Sequence, residues 1–273
     1  MTNLQGKTII ITGASRGIGR AIALRCAQDK ANIVIAAKSA TPHPKLPGTI
    51  YTVAGEVEAL GAKVLPLQVD VRSEEEVEKM VEETVKKFGG IDALINNAGA
   101  IFLADTPSTP MKRFDLMQGV NVRAVYLCSQ KALPYLKKGK NPHILNLSPP
   151  LSLDPKWLKN HLAYSLSKYG MSLCTLGMSA EFEPYGIAVN SLWPRTLIAT
   201  AAVDWLMGEA GIKQSRKPEI MADAAYEILC KQNRQLTGQT LIDEEVLRQA
   251  GMKNFDQYAH VPGETLMPDL YVE

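Results

Sequence analysis

Short apolar runs alternate along the chain with longer segments whose apolar residues recur at helical spacing. The short runs lack the polar alternation of a half-exposed strand, which indicates strands buried on both faces of a parallel sheet. They predict strands at residues 8–11, 32–37, 63–69, 91–95, 143–147 and 188–192. The longer segments predict helices at about 20–26, 49–61, 74–88, 111–137 and 163–182.

Strands that alternate with helices form a parallel sheet covered by helices on both faces. Because crossovers between parallel strands are right-handed, few topologies remain. The predicted fold class is α/β: a doubly wound, Rossmann-type parallel sheet in three α/β/α layers, with its ligand at the carboxyl ends of the strands. No linker or repeat interrupts the 273 residues, so we expect a single domain over 1–273.

The predicted domain ends in an extended C-terminal tail from about Glu244. This tail is too apolar to be solvated along its length. Its apolar residues include Phe255, Tyr258, Leu266, Met267 and Leu270. We therefore expect the tail to pack on another surface and to serve assembly.

Charge and composition exclude several classes of partner. Thirty basic and 28 acidic residues give a formal charge of +2 without a basic run, so neither nucleic acid nor an anionic membrane surface is an expected partner. No apolar run approaches the roughly 20 residues of a membrane helix. The four cysteines are widely separated and sit among apolar residues, which favours buried thiols over disulfides or a metal site. With a first strand so close to the N-terminus, a signal peptide is not expected, and a cytoplasmic location is.

A glycine-rich turn follows the first strand, and a helix follows the turn. Such a turn leaves backbone amides at a helix N-terminus, where the helix dipole favours a diphosphate. Gly13 would permit the turn, Gly17 would let the backbone approach the phosphates, and Gly19 would let helix and strand pack closely. The sequence therefore predicts a dinucleotide site at this turn.

The charge after the second strand predicts which dinucleotide binds. An NAD site usually has an acidic residue about 20 residues after the glycines, where it binds the ribose 2′-hydroxyl. Lys38 stands there instead, and Arg16 lies within the glycine turn. Two cations favour a 2′-phosphate, so NADP is the expected cofactor and NAD the less favoured one. The proline-rich loop 38–48 is either a stiff surface loop or a cover for this cofactor.

Tyr164 and Lys168 are spaced four residues apart on a predicted helix, so their side chains lie on one face. A phenol titrates at about 10 and is a weak base at neutral pH. A neighbouring ammonium and an oxidised nicotinamide both favour the phenolate. Tyr164 is therefore the predicted acid and base for a carbonyl or alcohol substrate while hydride moves to or from the nicotinamide.

Four segments together resemble the short-chain dehydrogenase/reductase family. They are Thr12 to Gly19 (TGASRGIG), Asn96 to Gly99 (NNAG), Tyr164 to Lys168 (YSLSK) and Asn190 to Thr196 (NSLWPRT). The resemblance implies an NAD(P)-dependent oxidoreductase, with Tyr164, Lys168, Asn121 and Ser148 as catalytic residues and no metal. It implies the cofactor contacts Gly13, Ser15, Arg16, Gly17, Ile18, Gly19, Lys38, Asp70, Val71, Asn97, Ala98, Gly99, Lys168, Pro194 and Thr196, with Asp70 on the adenine amine and Lys168 on the nicotinamide ribose.

The fifth strand departs from the family pattern, because Pro149 stands where the family has its catalytic Ser. Ser148 orients the substrate oxygen from a rearranged loop, or Ser152 does, or no Ser does; Ser148 is the favoured hypothesis. Proline cannot donate a hydrogen bond from its side chain. The alternative function is therefore a nucleotide-binding protein of the same fold without significant turnover.

The segment 197–211 is the predicted substrate lid. It carries Ile198, Trp205, Leu206 and Met207, and it is expected to face Leu151, Leu153 and Trp157 across the cleft. Apolar residues on both sides predict an apolar substrate of lipid, steroid or terpenoid type. Because members of the family pair the helices that correspond to 111–137 and 163–182 across two-fold axes, the resemblance also implies a homodimer or homotetramer.

Overall fold

The computed structural model describes residues 3–44, 46–233 and 235–272. Within these residues, seven parallel strands form one sheet in the order β3-β2-β1-β4-β5-β6-β7. The strands are β1 Thr8–Thr12, β2 Asn32–Ala37, β3 Val64–Gln68, β4 Ala93–Asn96, β5 His143–Asn146, β6 Ala188–Trp193 and β7 Thr240–Ile242. The predicted doubly wound parallel sheet is thus confirmed.

Helices cover both faces of the sheet. They are α1 Gly17–Gln28, α2 Ile50–Ala59, α3 Glu74–Phe88, α4 Met111–Met117, α5 Ala124–Leu136, α6 Leu162–Glu181, α7 Ala201–Lys213, α8 Glu219–Cys230 and α9 Asp243–Gln249. In β1, Ile9 and Ile11 pack towards α1 and α8, whereas Ile10 packs towards α3 and α5. This central strand is fully buried, which explains why it is apolar without alternation.

The strand order reverses between β1 and β4: after β1 the chain continues to β2 on one side of the pair, and after β4 it continues to β5 on the other side. In doubly wound folds, the crevice at such a switch point holds the ligand at the carboxyl ends of the strands. The glycine turn follows β1 and the NNAG segment follows β4. Both predicted cofactor segments therefore meet at the switch point.

The predicted helix 111–137 is interrupted. A π-helical segment, Gln118–Arg123, separates α4 from α5. Asn121 lies in this segment with its side chain fully buried and bonded to Ala100 on the neighbouring loop. Helical periodicity in the sequence did not reveal this widened turn, because the tertiary contacts of one amide side chain hold it in place.

The C-terminal tail packs against its own chain. After α9, the backbone returns to the end of β6, where the Leu197 amide donates to the Met267 carbonyl (2.9 Å) and the Asp269 amide donates to the Arg195 carbonyl (3.1 Å). The tail thus packs on a surface of its own chain, in agreement with the expectation that it packs on a surface. In the part of the chain that the structure describes, no helix is long and apolar enough to cross a membrane.

Candidate active site

The glycine turn joins β1 to α1 at the carboxyl edge of the sheet. Gly13 and Gly17 have φ angles of +68° and +56°, which residues with a side chain rarely adopt. Arg16 is the N-cap of α1 and makes no side-chain cap bond, so the first amides of the helix stay available to an anionic ligand. The turn opens into a groove of about 660 Å³.

Most predicted cofactor contacts line this groove: Gly13, Ser15, Arg16, Gly17, Ile18, Lys38, Asp70, Val71, Asn97, Ala98 and Gly99. Lys168 and Pro194 line a neighbouring cavity instead. Gly19 and Thr196 are buried and line neither space. At Gly19, a Cβ atom would lie only 2.4 Å from Asn97 Nδ2, so this glycine permits close packing under the turn.

The NNAG segment is bonded to the glycine turn. Asn97 Nδ2 donates to the carbonyls of Thr12 (2.8 Å) and Gly13 (3.1 Å). In return, Thr12 Oγ1 accepts from the amides of Asn97 and Ala98, both at 3.1 Å. A Cβ atom at Gly13 would lie 2.8 Å from Ala98 Cα. The two segments therefore form one rigid wall of the groove.

The expected ribose end of the groove carries both predicted cations, Lys38 and Arg16. Lys38 Nζ lies 3.1 Å from an Asp70 carboxylate oxygen, and its side chain is 64% exposed. Arg72 also binds the Asp70 carboxylate, at 2.6 Å. Hydrogen bonds from Arg72, assisted by Lys38, lower the pKa of Asp70. The carboxylate expected to contact adenine is thus ionised and held by two cations.

The loop 38–48 is bonded to the glycine turn through Arg16. The guanidinium donates to the carbonyls of Pro47 (3.0 Å) and Gly48 (2.9 Å) and to Ser39 Oγ (3.1 Å). Ser39 and Leu46 line the groove, and Lys45 lies outside the described residues. This arrangement favours the interpretation of the loop as a cover for the groove.

Tyr164 and Lys168 lie on the buried face of α6, and both line a cavity of about 580 Å³ beside the groove. Lys168 Nζ donates to the Leu147 carbonyl at 2.8 Å and lies 5.1 Å from the centroid of a Trp193 ring. The cavity and the groove share Ile18, Asn97, Thr200 and Ala202 in their linings. The two spaces are therefore adjacent.

Burial shifts the pKa values of these two side chains in opposite directions. Desolvation lowers the pKa of Lys168 to about 8, and Asp269 opposes this shift. Desolvation, with smaller contributions from Tyr271 and Asp269, raises the pKa of Tyr164 well above its ordinary value. In the protein alone burial dominates the pKa of Tyr164, and the expectation that the ammonium and an oxidised nicotinamide favour the phenolate stays a prediction for the complex with the cofactor. Tyr164 is a neutral phenol here and a proton donor.

Asn121 does not line the cavity, but it reaches the same region from the π-helical segment. A Cβ atom at Gly99 would lie 3.7 Å from Asn121 Oδ1 and 4.0 Å from Lys168 Nζ. Asn121 Nδ2 also donates to Ser167 Oγ on α6 at 2.8 Å. The structure thus brings Asn121 and Lys168 close to the same glycine.

Ser148 lies outside the cavity lining. Its side chain is fully buried, and its Oγ has no hydrogen-bond partner among the described residues. The following Pro149 accepts a hydrogen bond from Ser172 Oγ at 2.5 Å. Ser152 Oγ accepts from the Asp154 amide at 3.3 Å in an exposed loop. In the described chain, no side-chain hydroxyl from this stretch enters the cavity.

The predicted lid is largely helical, because α7 spans most of it. Ile198, Leu206 and Met207 line the cavity as expected, whereas Trp205 lines the groove. The prediction that Leu151, Leu153 and Trp157 form the opposite wall is wrong, since these residues are absent from the lining of the cavity. Leu153 is 89% exposed. The apolar residues that replace them come from two other segments: Ile101, Leu103, Met267, Pro268 and Leu270.

The tail also holds the aromatic residues behind the cavity. Trp193 Nε1 donates to the Leu270 carbonyl at 2.8 Å. Tyr271 contacts five aromatic rings with centroid distances of 5.2 to 6.5 Å: Trp157, His161, Tyr164, Tyr169 and Trp193. Its hydroxyl shares a hydrogen bond with Ser165 at 2.9 Å. Apolar composition predicted that the tail packs, but no local signal predicted where.

Asp269 is the charged residue of the cavity that sequence reasoning missed. It lines the cavity together with Tyr164 and Lys168. The only available signal was a lone acidic residue within the apolar segment Leu266 to Val272.

In the described chain, no cluster of three or more His, Cys, Asp or Glu side chains could hold a metal ion.

The family profile described as short chain dehydrogenase matches residues 7–206. The chain belongs to the short-chain dehydrogenase family, a family of NAD(P)-dependent oxidoreductases that act on carbonyl and alcohol groups. A hydroxysteroid dehydrogenase-like protein 2 from Danio rerio is 61% identical over 270 residues, which is 99% of this chain and 65% of that protein. The protein of the same name from Homo sapiens is 57% identical over 99% of this chain and 64% of its own length. The chain thus spans just under two thirds of these relatives.

A solved short chain dehydrogenase from Mycobacterium thermoresistibile has a TM-score of 0.94 and 51% sequence identity, and the match covers 99% of this chain and 96% of that one. The match extends past residue 206, where the family profile ends. The C-terminal segment therefore belongs to a fold that is shared beyond this chain.

Proposed function

We propose that this chain is an NADP-dependent oxidoreductase that transfers hydride between the nicotinamide and the carbonyl or alcohol group of an apolar substrate. One observation carries the proposal: the groove and the cavity share four lining residues, and Tyr164 and Lys168 lie in the cavity beside that junction. A dinucleotide in the groove would thus extend its reactive end towards the side chains that handle the proton. We treat 1–273 as one domain of this kind.

The residues of the groove fit a nicotinamide dinucleotide. Gly13 and Gly17 have no Cβ and adopt positive φ angles, and the helix that follows them has no side-chain cap. These features suit a diphosphate, which the glycines and Ser15 would hold. A bound nicotinamide supplies or accepts the hydride.

The proton transfer to or from the substrate oxygen is assigned to Tyr164. During reduction, the phenol donates its proton to the carbonyl oxygen, and during oxidation it takes the proton from the alcohol. Its neutral state in the protein alone suits the first of these directions. Lys168 is assigned to the nicotinamide ribose and to the electrostatics of the phenol, and Asn121 to the support of Lys168.

The preference for NADP is tested at Lys38. Its side chain is 64% exposed at the end of the groove, so Lys38→Asp replaces a cation with a carboxylate that repels a 2′-phosphate. We expect wild type to bind NADPH more tightly than NADH and the variant to narrow or reverse this difference. Fluorescence titration of both cofactors measures it.

Lys63→Asp is the matched control. Lys63 is an exposed residue just before β3, at the amino ends of the strands, whereas the groove lies at their carboxyl ends. It makes the same change of charge away from the groove. Equal affinities of wild type for the two cofactors would contradict the NADP assignment, as would the same loss of NADPH affinity in both variants.

The apolar substrate is supported by the walls of the cavity, which are formed by Ile101, Leu103, Leu206, Met207 and Met267. Apolar walls with few polar groups are typical of sites that orient a lipophilic ligand. The name of the relatives suggests hydroxysteroids as one class, and aliphatic and terpenoid ketones are equally compatible with a cavity of about 580 Å³.

A scan of such ketones and alcohols, followed by the absorbance of the reduced nicotinamide, tests the activity. We expect turnover of at least one apolar class with NADPH or NADP. Tight NADPH binding without turnover at any pH would favour the alternative, a nucleotide-binding protein. That alternative is motivated by Pro149 and by the burial of Ser148 outside the cavity.

A further inference from the structure

The cavity offers few polar groups to a substrate. Its polar lining residues are Asn97, Tyr164, Lys168, Thr200 and Asp269. The side chains of Asn97 and Thr200 are bonded to nearby backbone groups, and Lys168 donates to the Leu147 carbonyl. Tyr164 and Asp269 are thus the polar side chains best placed to meet a substrate oxygen.

The position of Asp269 is fixed from both sides. Its own amide donates to the Arg195 carbonyl at 3.1 Å, and the flanking Met267 carbonyl accepts from the Leu197 amide at 2.9 Å. On the other side, the Leu270 carbonyl accepts from the Trp193 indole. Among the described residues, one hydrogen bond to the carboxylate is present, from the Leu270 amide to Oδ1 at 2.7 Å. The second carboxylate oxygen is therefore available within a rigid wall.

The environment of Asp269 favours its protonated form. Burial raises the pKa of this carboxyl to about 7; Asp243 adds to the shift, while the Leu270 amide and Lys168 oppose it. The charge of Asp269 also contributes to the raised pKa values of Tyr164 and Tyr271. Near neutral pH, a large fraction of the carboxyl groups thus carries a proton and can act as a hydrogen-bond donor.

We propose that Asp269 is a second catalytic group of this site, whose carboxyl donates a hydrogen bond to the substrate oxygen that Tyr164 protonates. It supplies the contact that a hydroxyl after β5 would make, where this chain has Pro149 and a buried Ser148. The inference rests on the proposed function. Hydride adds to the carbonyl carbon, the electron pair of the carbonyl bond moves to oxygen, and Tyr164 gives that oxygen its proton. Asp269 keeps its own proton throughout.

Kinetics of two substitutions test the role. Asp269→Leu removes the donor, and loss of one preorganised donor typically lowers kcat by about 10²–10³-fold. Asp269→Asn keeps an N–H donor, so we expect it to retain activity within about 10-fold of wild type. NADPH affinity should stay within about twofold in both variants, because the carboxyl is absent from the groove lining. Asp256→Asn, in the exposed part of the tail, is the matched control.

The pH dependence of kcat distinguishes a catalytic role of Asp269 from a role in packing alone. Because the donor is the protonated carboxyl, kcat for ketone reduction should fall in wild type as the pH rises through about 7. Asp269→Asn donates at every pH and should lack this step. The inference is overturned by an Asp269→Leu enzyme with normal kcat, by an unchanged step in Asp269→Asn, or by a Ser148→Ala variant that loses as much activity as Asp269→Leu.

A measurement that needs no turnover distinguishes this inference from the proposed function. Infrared spectra of the protein with ¹³C-labelled aspartate, recorded as wild type minus Asp269→Asn in the NADPH complex, isolate the C=O band of a protonated Asp269. We expect that band below pH 7 and a shift of it when a ketone that binds without turnover is added. No band down to pH 5 overturns the inference, whereas failure of NADPH to bind overturns the proposed function.

Discussion

Tyr164 and Lys168 are one helical turn apart on α6, yet burial shifts their pKa values in opposite directions. Tyr164 lines the cavity and has a raised pKa, so it holds a proton at neutral pH. Lys168 is held by the Leu147 carbonyl, and its pKa is lowered to about 8. The two residues therefore predict different defects when each is replaced.

Tyr164→Phe removes one hydroxyl from a side chain that otherwise packs unchanged. We expect NADPH affinity and the fold to be preserved and turnover to fall by about 10²–10⁴-fold, as is typical of a lost general acid or base. Lys168→Met should instead impair both turnover and NADPH affinity, because Lys168 is assigned to the ribose as well as to the phenol. Steady-state kinetics and cofactor titrations of both variants measure the difference.

Lys168 also adds a pH dependence to this comparison. Since its pKa is lowered to about 8, the ammonium loses its proton as the pH rises through that value, and NADPH affinity should weaken there. The Lys168→Met variant should lack that step. A Tyr164→Phe enzyme that retains most of its activity would contradict the assignment of the proton and move attention to His161, the titratable residue at the N-cap of α6.

At the scale of elements, the sequence predicted the strands and helices that have strong local patterns. The burial of β1 required apolar residues on both faces, and α3 begins with acidic and ends with basic residues. By contrast, β7 has three residues and no pattern of its own. The widened turn at Asn121 and the packing position of Tyr271 depend on tertiary contacts, which leave no periodic signal in the chain. Asp269 was missed for the same reason.

The tail provides the element-scale prediction. Tyr271 is 4% exposed, contacts five aromatic rings and has a φ of +70°. Tyr271→Ala leaves a cavity among these rings and should lower the free energy of unfolding by about 3–5 kcal/mol, as for other large aromatic residues. Tyr271→Phe loses only the hydrogen bond to Ser165 and should cost about 1 kcal/mol.

Urea unfolding of both variants measures these losses. Turnover should follow the same order, because Tyr271 packs behind Tyr164 and the backbone of the tail supports Trp193. A Tyr271→Ala protein as stable as wild type would show that the tail detaches from the fold in solution.

At the scale of the whole molecule, stability should depend on pH through His143 at the start of β5. This side chain is 2% exposed, and burial lowers its pKa to about 4 from an ordinary 6.5. The folded state therefore binds fewer protons than the unfolded state between these values. Its contribution to stability is complete above pH 6.5 and is lost as the pH falls towards 4.

From pH 7 to pH 5 this group should lower the free energy of unfolding by about 2 kcal/mol. His143→Gln should remove that part of the pH dependence, whatever its effect on stability at pH 7. The buried Asp243 and Asp269, whose raised pKa values give the opposite sign, contribute equally in both proteins. His260→Gln, at an exposed position, is the control, and identical pH profiles for all three proteins would contradict the prediction.

Assembly is the last property predicted for the whole molecule. The face of α6 opposite Tyr164 exposes Leu162, Leu166, Leu173 and Leu176, and the neighbouring α5 exposes Tyr126. An apolar helix face of this kind is typical of an interface between subunits, in agreement with the predicted homodimer or homotetramer.

Replacing Leu166 and Leu173 with Glu places charges in the middle of that face, so we expect the double variant to sediment at a lower mass than wild type while keeping NADPH affinity. Leu153→Glu changes a still more exposed leucine in the loop before α6 and should leave the mass unchanged. Because an apolar face buried between subunits is shielded from water, its disruption should also lower the thermal midpoint of the double variant. A wild-type protein that sediments as a monomer at micromolar concentration would contradict assembly through these helices.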